Sequence, residues 1–125
     1  MGASSDKQDT ACSMIKHLVI WRLKDEAAGN DRATNSRLIK EKLKALRGQI
    51  PGLVKLEVGI DGDSNNPEQG HVVLYSVFES RVALQAYSSH PAHKVVAAFI
   101  KEVASERRVI DYEVFAAESP SRAPR

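Results

Sequence analysis

The order of apolar patterns along the chain limits the folds that it can adopt. Three segments, residues 14–23, 53–60 and 108–115, alternate apolar and polar side chains, as strands with one buried face do. A fourth, residues 71–78, is almost continuously apolar, which is typical of a central strand. One helical pattern lies between the first two strands. A second lies between the last two strands and is broken at Pro91. The order β-α-β-β-(α-α)-β predicts an α+β, ferredoxin-like protomer.

The first helix is predicted over residues 31–49. Ile39, Leu43, Leu46 and Ile50 recur at helical spacing and form one apolar stripe. Basic residues follow the opposite side of this helix. Lys+Arg number 18 and Asp+Glu 16, so the net charge is only +2, and a solvated face explains these residues better than a nucleic-acid patch does. The turn at residues 50–52 (Ile-Pro-Gly) is expected to end the helix.

The first strand is apolar on both faces, which predicts a homodimer. His17 and Trp21 share the face that would meet the helices, whereas Leu18 and Ile20 lie on the other face. That second face needs a cover, and a second copy of the same sheet provides it. We therefore predict a dimeric α/β barrel with the two sheets face to face.

The two ends of the chain are small, polar segments. Residues 1–13 are predicted to be a flexible N-terminal arm and residues 119–125 a flexible C-terminal tail, on either side of a domain at residues 14–118. Cys12 is the single cysteine, so no intrachain disulfide can form. Together with the lack of a long apolar segment, this predicts a cytoplasmic protein without membrane association. The near-neutral charge excludes a strongly basic nucleic-acid binder and favours an uncharged ligand or a protein partner.

No metal site is predicted. The loop at residues 61–70 begins like a calcium loop, but Asn66 and Val72 occupy the positions of the turn glycine and the bidentate glutamate. The histidines show neither the i, i+4 pair nor the supporting carboxylates of a zinc site.

Several motifs together resemble the stress-responsive A/B barrel (Dabb) domain family over about residues 14–115. They are residues 14–19 (MIKHLV), 50–53 (IPGL), 78–80 (FES), 87–93 (YSSHPAH) and 108–113 (RVIDYE). The Tyr-x-x-His-Pro-x-His block is the most specific of them. The resemblance implies a dimeric barrel of ferredoxin-like protomers. The family includes plant stress proteins and olivetolic acid cyclase-like polyketide cyclases, which close a ring by aldol chemistry without cofactor or metal.

The resemblance also implies roles for individual residues. Tyr87 and His93 match the acid–base pair of the cyclases, and His17 matches a histidine that lines their pocket. We add Trp21 and His90 as candidate ligand contacts. At neutral pH an imidazole can remove an acidic proton between two carbonyls, and a tyrosine hydroxyl can donate to the developing enolate oxygen.

Each of these residues also has a structural interpretation. His17 would be a core histidine with a satisfied hydrogen bond, His90 a helix cap, and Tyr87 a space-filling side chain whose hydroxyl bonds the backbone. Pro91 and His93 would fix the entry of the last helix, and Trp21 would be packing. A cavity that reaches Tyr87 and His93 would favour binding or catalysis over these interpretations.

Three functions follow. The first is a cytoplasmic, stress-responsive type dimer that binds a small hydrophobic or keto-bearing molecule between sheet and helices, with cofactor-free cyclase or lyase activity. The second is a non-catalytic stress or structural dimer. The third is a cofactor-free monooxygenase of the antibiotic-biosynthesis type, against which the His-Pro-x-His block argues.

Overall fold

A computed structural model of the chain describes residues 13–62, 66 and 68–115. The predicted arm with Cys12 and the predicted tail lie outside the described residues, as do Asp63 and Asn65 of the polar loop. Ser13, which the sequence pattern placed in the arm, is buried and begins the first strand.

A four-stranded antiparallel sheet with helices on one face forms the domain. The elements are β1 (Ser13–Leu23), β2 (Glu26–Ala27), β3 (Asn30–Asp31), α1 (Arg32–Lys44), β4 (Leu53–Ile60), β5 (Val72–Phe78), α2 (Arg81–Ser89), α3 (Pro91–Val103) and β6 (Ala104–Phe115). The sheet order is β4-β5-β1-β6, and β2 pairs with β3 in a separate hairpin. This topology confirms the predicted ferredoxin-like α+β fold.

The alternation predicted for β1 is confirmed. Ile15, Val19, Trp21 and Leu23 are buried toward the helices, where Phe78 of β5 joins them at the centre of the core. Because β1 lies between β5 and β6, its buried face is also the floor beneath the helices. The strand therefore contributes both to the core and to whatever site lies between sheet and helices.

Helix α1 begins as predicted but ends five residues early. The Asp31 carboxylate accepts a hydrogen bond from the Thr34 amide at 2.8 Å and caps the first turn. After Lys44 the chain continues in tight i to i+3 turns, and Gly48 adopts a φ of +85°. Leu46 is still buried, so the apolar stripe used for the prediction extends past the helix that it was assigned to. No helix of the described residues is long and apolar enough to cross a membrane, and the cytoplasmic location stays a prediction.

Two other features differ from the sequence prediction. The polar loop after β1 contains the hairpin of β2 and β3, whose turn residues Ala28 and Gly29 have φ values of 55° and 79°. In β4, the register shifts between Leu53 and Lys55, and Val54, predicted to face the core, is 51% exposed. A local bulge of this kind turns one side chain to the opposite face of the sheet.

The helical region before β6 is broken where predicted. Ser80 caps α2, and its hydroxyl accepts from the Ala83 amide at 3.1 Å. His90 is the last cap of α2 and the first cap of α3, with Pro91 at the start of α3. The break changes the direction of the chain between the two helices, so the end of α2 and the first turn of α3 lie over β1 together.

The sheet face away from the helices carries exposed apolar side chains. Met14, Ile20, Ile110 and Tyr112 are 41%, 46%, 57% and 46% exposed. Cross-strand pairing places Leu18 opposite Ile110 and so continues the apolar surface from β1 to β6. This is the face that the sequence predicted to need a cover.

Candidate active site

A cavity of about 440 Å³ lies between the sheet and the helices. Its floor is apolar and comes from β1 and β5, including Val19, Trp21 and Leu74. Its wall comes from α3 and includes Val96 and Ile100. Polar groups enter this largely apolar space from β1, from the helix break, from the end of α3 and from the start of β6. Small-molecule sites commonly have this composition.

Tyr87 lies at the inner end of the cavity and is 2% exposed. It belongs to the last turn of α2, where it packs against Phe78 with ring centroids 5.0 Å apart. No hydrogen bond joins its hydroxyl to another described residue, and the hydroxyl is not one of the fully buried unpartnered atoms. Burial raises the pKa of Tyr87 to about 12, and the smaller effect of the Arg107 charge opposes the increase. The side chain therefore stays a neutral hydroxyl that can donate to a ligand.

His93 contacts Tyr87 directly across the helix break. The two ring centroids are 4.3 Å apart with a tilt of 54°, and both side chains line the cavity. The Nδ1 atom of His93 is buried and finds no partner among the described residues. Burial lowers the pKa of His93, and the smaller effect of the nearby Ser88 backbone acts in the opposite direction. Around neutral pH this imidazole is thus uncharged and able to accept a proton.

His17 enters the cavity from β1 and is held by an acidic partner. Its Nδ1 atom lies 2.5 Å from Oδ1 of Asp111, which is the cross-strand neighbour of His17 on β6. Since a carboxylate only accepts, Nδ1 is the donor, and in the neutral imidazole Nε2 is left as an acceptor. The His17 ring also meets Tyr87 edge-on at 5.9 Å. The structure thus brings His17, Tyr87 and His93 together around one cavity.

The remaining sequence candidates occupy different places. Trp21 is 6% exposed and forms part of the cavity floor. His90 does not line the cavity; its Nδ1 accepts a hydrogen bond from the Ala92 amide at 3.0 Å and caps α3. Its position matches the structural alternative, and we assign His90 no ligand contact. Within residues 13–62, 66 and 68–115, no group of three histidine, cysteine or acidic side chains could hold a metal ion.

Sequence reasoning missed two polar groups that shape the site. Asp111 is recognisable only once its register with His17 is known, because the sequence shows it simply as a polar position on a strand. Arg107 lines the cavity from the first residues of β6, which begins directly after α3 and four residues before the predicted strand. A charged residue just before an apolar strand gave no sign that it faces the cavity.

Comparisons with known proteins agree with this fold. The family model for the stress responsive A/B barrel domain matches residues 15–114. No similar sequence was found among curated proteins.

Solved structures with the same fold include a dimeric protein of unknown function from Bacteroides fragilis. Its sequence is 28% identical, its TM-score is 0.69, and the match covers 81% of this chain and 96% of that chain. A Dabb family protein from Mesorhizobium loti is 22% identical with a TM-score of 0.57, over 80% and 95%. A hydroxynitrile lyase from Passiflora edulis is 16% identical with a TM-score of 0.64, over 81% and 93%. With the family model matching most of the chain, the protein belongs to the stress responsive A/B barrel (Dabb) family.

Proposed function

We propose that this protein is a cofactor-independent acid–base enzyme that removes a proton from the carbon next to a carbonyl in a small, largely apolar, keto-bearing molecule. The observation that carries the proposal is the placement of Tyr87 and His93 on one largely apolar cavity, where the buried Nδ1 of His93 has no partner among the described residues. Ring closure by aldol chemistry uses such a proton transfer, and retro-aldol cleavage ends with its reverse, the protonation of the enolate carbon.

The proposed step uses the hydroxyl and the imidazole in different roles. His93 takes the proton from carbon, and the electron pair of the broken C–H bond moves to the carbonyl oxygen. Tyr87 donates a hydrogen bond to that oxygen, where negative charge develops. A neutral hydroxyl in a largely apolar site is suited to this role, because the fold already holds it beside the cavity in which the charge develops.

His17 supports the same site as a positioned acceptor. Its contact with Asp111 fixes the proton on Nδ1, so Nε2 is free to accept from a ligand hydroxyl or enol. The ring contacts Tyr87 edge-on and therefore also limits where the phenol can lie. We assign His17 to ligand binding and Asp111 to holding His17 in place.

Deuterium exchange tests the proposed step. In D₂O near neutral pD, the protein is incubated with 3-oxooctanoyl N-acetylcysteamine, and proton NMR follows the loss of the C2 signal. We expect exchange faster than in buffer, with Tyr87→Phe and His93→Asn each lowering the excess rate by about 100-fold or more. Lys94→Gln, an exposed change on α3 away from the cavity, is the control and should keep the rate.

The same assay separates the alternative functions. A non-catalytic dimer would show the buffer rate in wild type and in both variants. A monooxygenase would consume dioxygen with the substrate, which an oxygen electrode detects, whereas proton transfer leaves dissolved oxygen unchanged. The hydroxynitrile lyase from Passiflora edulis shows only that this fold can carry an enzyme.

We further propose that the working form is a homodimer built from the exposed sheet faces. The argument is the apolar surface around Ile20 and Ile110, which are 46% and 57% exposed. The similar protein from Bacteroides fragilis is described as dimeric. Sedimentation velocity at micromolar concentration should give a dimer that Ile110→Lys weakens. A wild-type monomer under these conditions contradicts this assembly.

A further inference from the structure

The mouth of the cavity carries a positive charge that the proposed chemistry does not use. Arg107 and Lys101 both line the cavity. Lys101 lies in the last turn of α3, where a cation stabilises the helix dipole, so its position has a structural explanation. Arg107 has none: it is exposed and belongs to the first residues of β6.

Nearby acidic groups do not neutralise Arg107. Glu106 also lines the cavity, but its carboxylate is bound by Arg108, with Nε and Oε2 2.8 Å apart. Asp111 is engaged by His17. Among the described residues, Arg107 itself forms no ion pair within 4 Å. Its guanidinium is therefore available to an anion that enters the cavity.

The strand register places Arg107 on the same face of the sheet as His17 and Trp21. Arg107 is the cross-strand neighbour of Trp21, just as Asp111 is that of His17, so β6 presents both charged residues on the cavity side. At about 3.3 Å per residue, the two positions are about 13 Å apart along the strand. The positive charge of Arg107 lowers the pKa of Tyr87 and that of His93, as a cation that lines the same cavity should.

We propose that the ligand of this site is a keto acid, and that Arg107 binds its carboxylate at the mouth while the carbonyl lies between Tyr87 and His93. The proposal rests on the proposed function and narrows its substrate class. A guanidinium suits a carboxylate because its planar fork can donate two parallel hydrogen bonds. The near-neutral charge of the whole chain had favoured an uncharged ligand; the local charge at the mouth favours an anionic one.

A pair of probes that differ only in charge tests this proposal. The probes are 4-acetylbenzoate and 4-acetylbenzamide, and octanoate with octanamide serves as an aliphatic pair. Isothermal titration at pH about 7.5 and low salt measures binding to wild type, Arg107→Gln and Arg107→Lys. Lys94→Gln removes one exposed charge elsewhere and is the matched control. Since Arg107 is exposed, its variants should melt at the wild-type temperature, which thermal unfolding checks.

We expect wild type to bind at least one carboxylate about tenfold or more tightly than its amide, the scale of a charge-assisted hydrogen bond. The preference should fall to about one in Arg107→Gln, be intermediate in Arg107→Lys and be unchanged in Lys94→Gln. A wild type without preference for a carboxylate, including one that binds none of the four probes, overturns the proposal. So does an Arg107→Gln variant that keeps the preference.

The outcome is separable from that of the proposed function. Deuterium exchange that depends on Tyr87, without any preference for carboxylates, refutes the role of Arg107 alone. A carboxylate preference that depends on Arg107, without exchange of either the thioester or the acetyl protons of bound 4-acetylbenzoate, supports the binding site and refutes the proton transfer.

Discussion

Replacing Tyr87 by phenylalanine separates a structural from a chemical role of this residue. The change removes the hydroxyl and keeps the ring, so the contacts with His93 at 4.3 Å and Phe78 at 5.0 Å are retained. If Tyr87 were mainly structural, its hydroxyl would hold a buried hydrogen bond. In the structure, no hydrogen bond joins this hydroxyl to another described residue.

The expected effect on stability follows from that missing hydrogen bond. Loss of a satisfied buried hydrogen bond costs about 1 kcal/mol, and more if its partner is left unsatisfied. Here no such bond is lost, and burying an unpaired hydroxyl is itself unfavourable by about 1–3 kcal/mol when it is fully dry. Since Tyr87 borders a cavity that water can enter, we expect Tyr87→Phe to be unchanged or stabilised by up to about 1 kcal/mol.

Urea unfolding at one fixed protomer concentration measures this difference, because the stability of a dimer depends on concentration. Thermal unfolding should show a midpoint that is unchanged or raised by about 3–6 °C. Tyr87→Ala is the contrasting variant, which loses the ring and should be destabilised by about 3–5 kcal/mol. Activity is measured on the same samples, and deuterium exchange should be lost in Tyr87→Phe.

A destabilisation of Tyr87→Phe by more than about 1 kcal/mol would refute the reasoning, because it would reveal a structural hydrogen bond at this hydroxyl. Unchanged stability with unchanged exchange would also refute it, since the hydroxyl would then serve neither role.

Four further predictions concern titration and packing. Burial lowers the pKa of His93 below its ordinary value of 6.5, so the unfolded chain binds a proton at this residue more readily than the folded chain does. The free energy of unfolding should therefore fall as the pH drops below 6.5. Urea unfolding should show a less steep fall in His93→Asn. Burial raises the pKa of Tyr87 from 10.0 to about 12, so the stability that its neutral form contributes is complete below pH 10.0 and is lost as the pH rises to 12. The test compares the phenolate absorbance of wild type with that of Tyr87→Phe. A difference that develops near pH 10 contradicts the prediction. Gly52→Ala should lower the free energy of unfolding by about 2–4 kcal/mol, because φ at this residue is +83° and the new Cβ would lie 2.5 Å from Cβ of Ala83. A variant that melts at the wild-type temperature would contradict this prediction, because it would show that the turn can shift freely. Asp111→Asn keeps a hydrogen-bond acceptor for His17 but removes the negative charge, so it should lower the free energy of unfolding by about 1 kcal/mol and weaken ligand binding. An affinity equal to that of wild type by titration calorimetry would rule out the positioning role of Asp111.

The strand pattern was sufficient to predict the fold. In β1, alternation alone identified which side chains face the helices, because burial on one face of a sheet imposes a period of two. His90-Pro91 likewise located the helix break, since proline is accepted in the first turn of a helix and not in its interior. The hairpin of β2 and β3 was not predictable, because two-residue strands are too short to show a period.

The site was predictable only in part. The helix break and the resemblance together indicated Tyr87 and His93, whose roles stay predictions. Asp111 and Arg107 depend on the pairing of β6 with β1, a contact between residues more than 80 positions apart that no local pattern encodes. The cap at His90 shows the opposite case: a motif residue whose visible contacts are with the backbone.

The rate of deuterium exchange at C2 of 3-oxooctanoyl N-acetylcysteamine, compared between wild-type protein and free imidazole at equal concentration and pD, tests the proposed proton transfer most directly. If His93 and Tyr87 act together in this largely apolar cavity, the protein should exchange the proton at least about 100-fold faster than imidazole does. A rate equal to that of imidazole would mean that the cavity adds nothing to a histidine in water, and the enzymatic function would have to be abandoned.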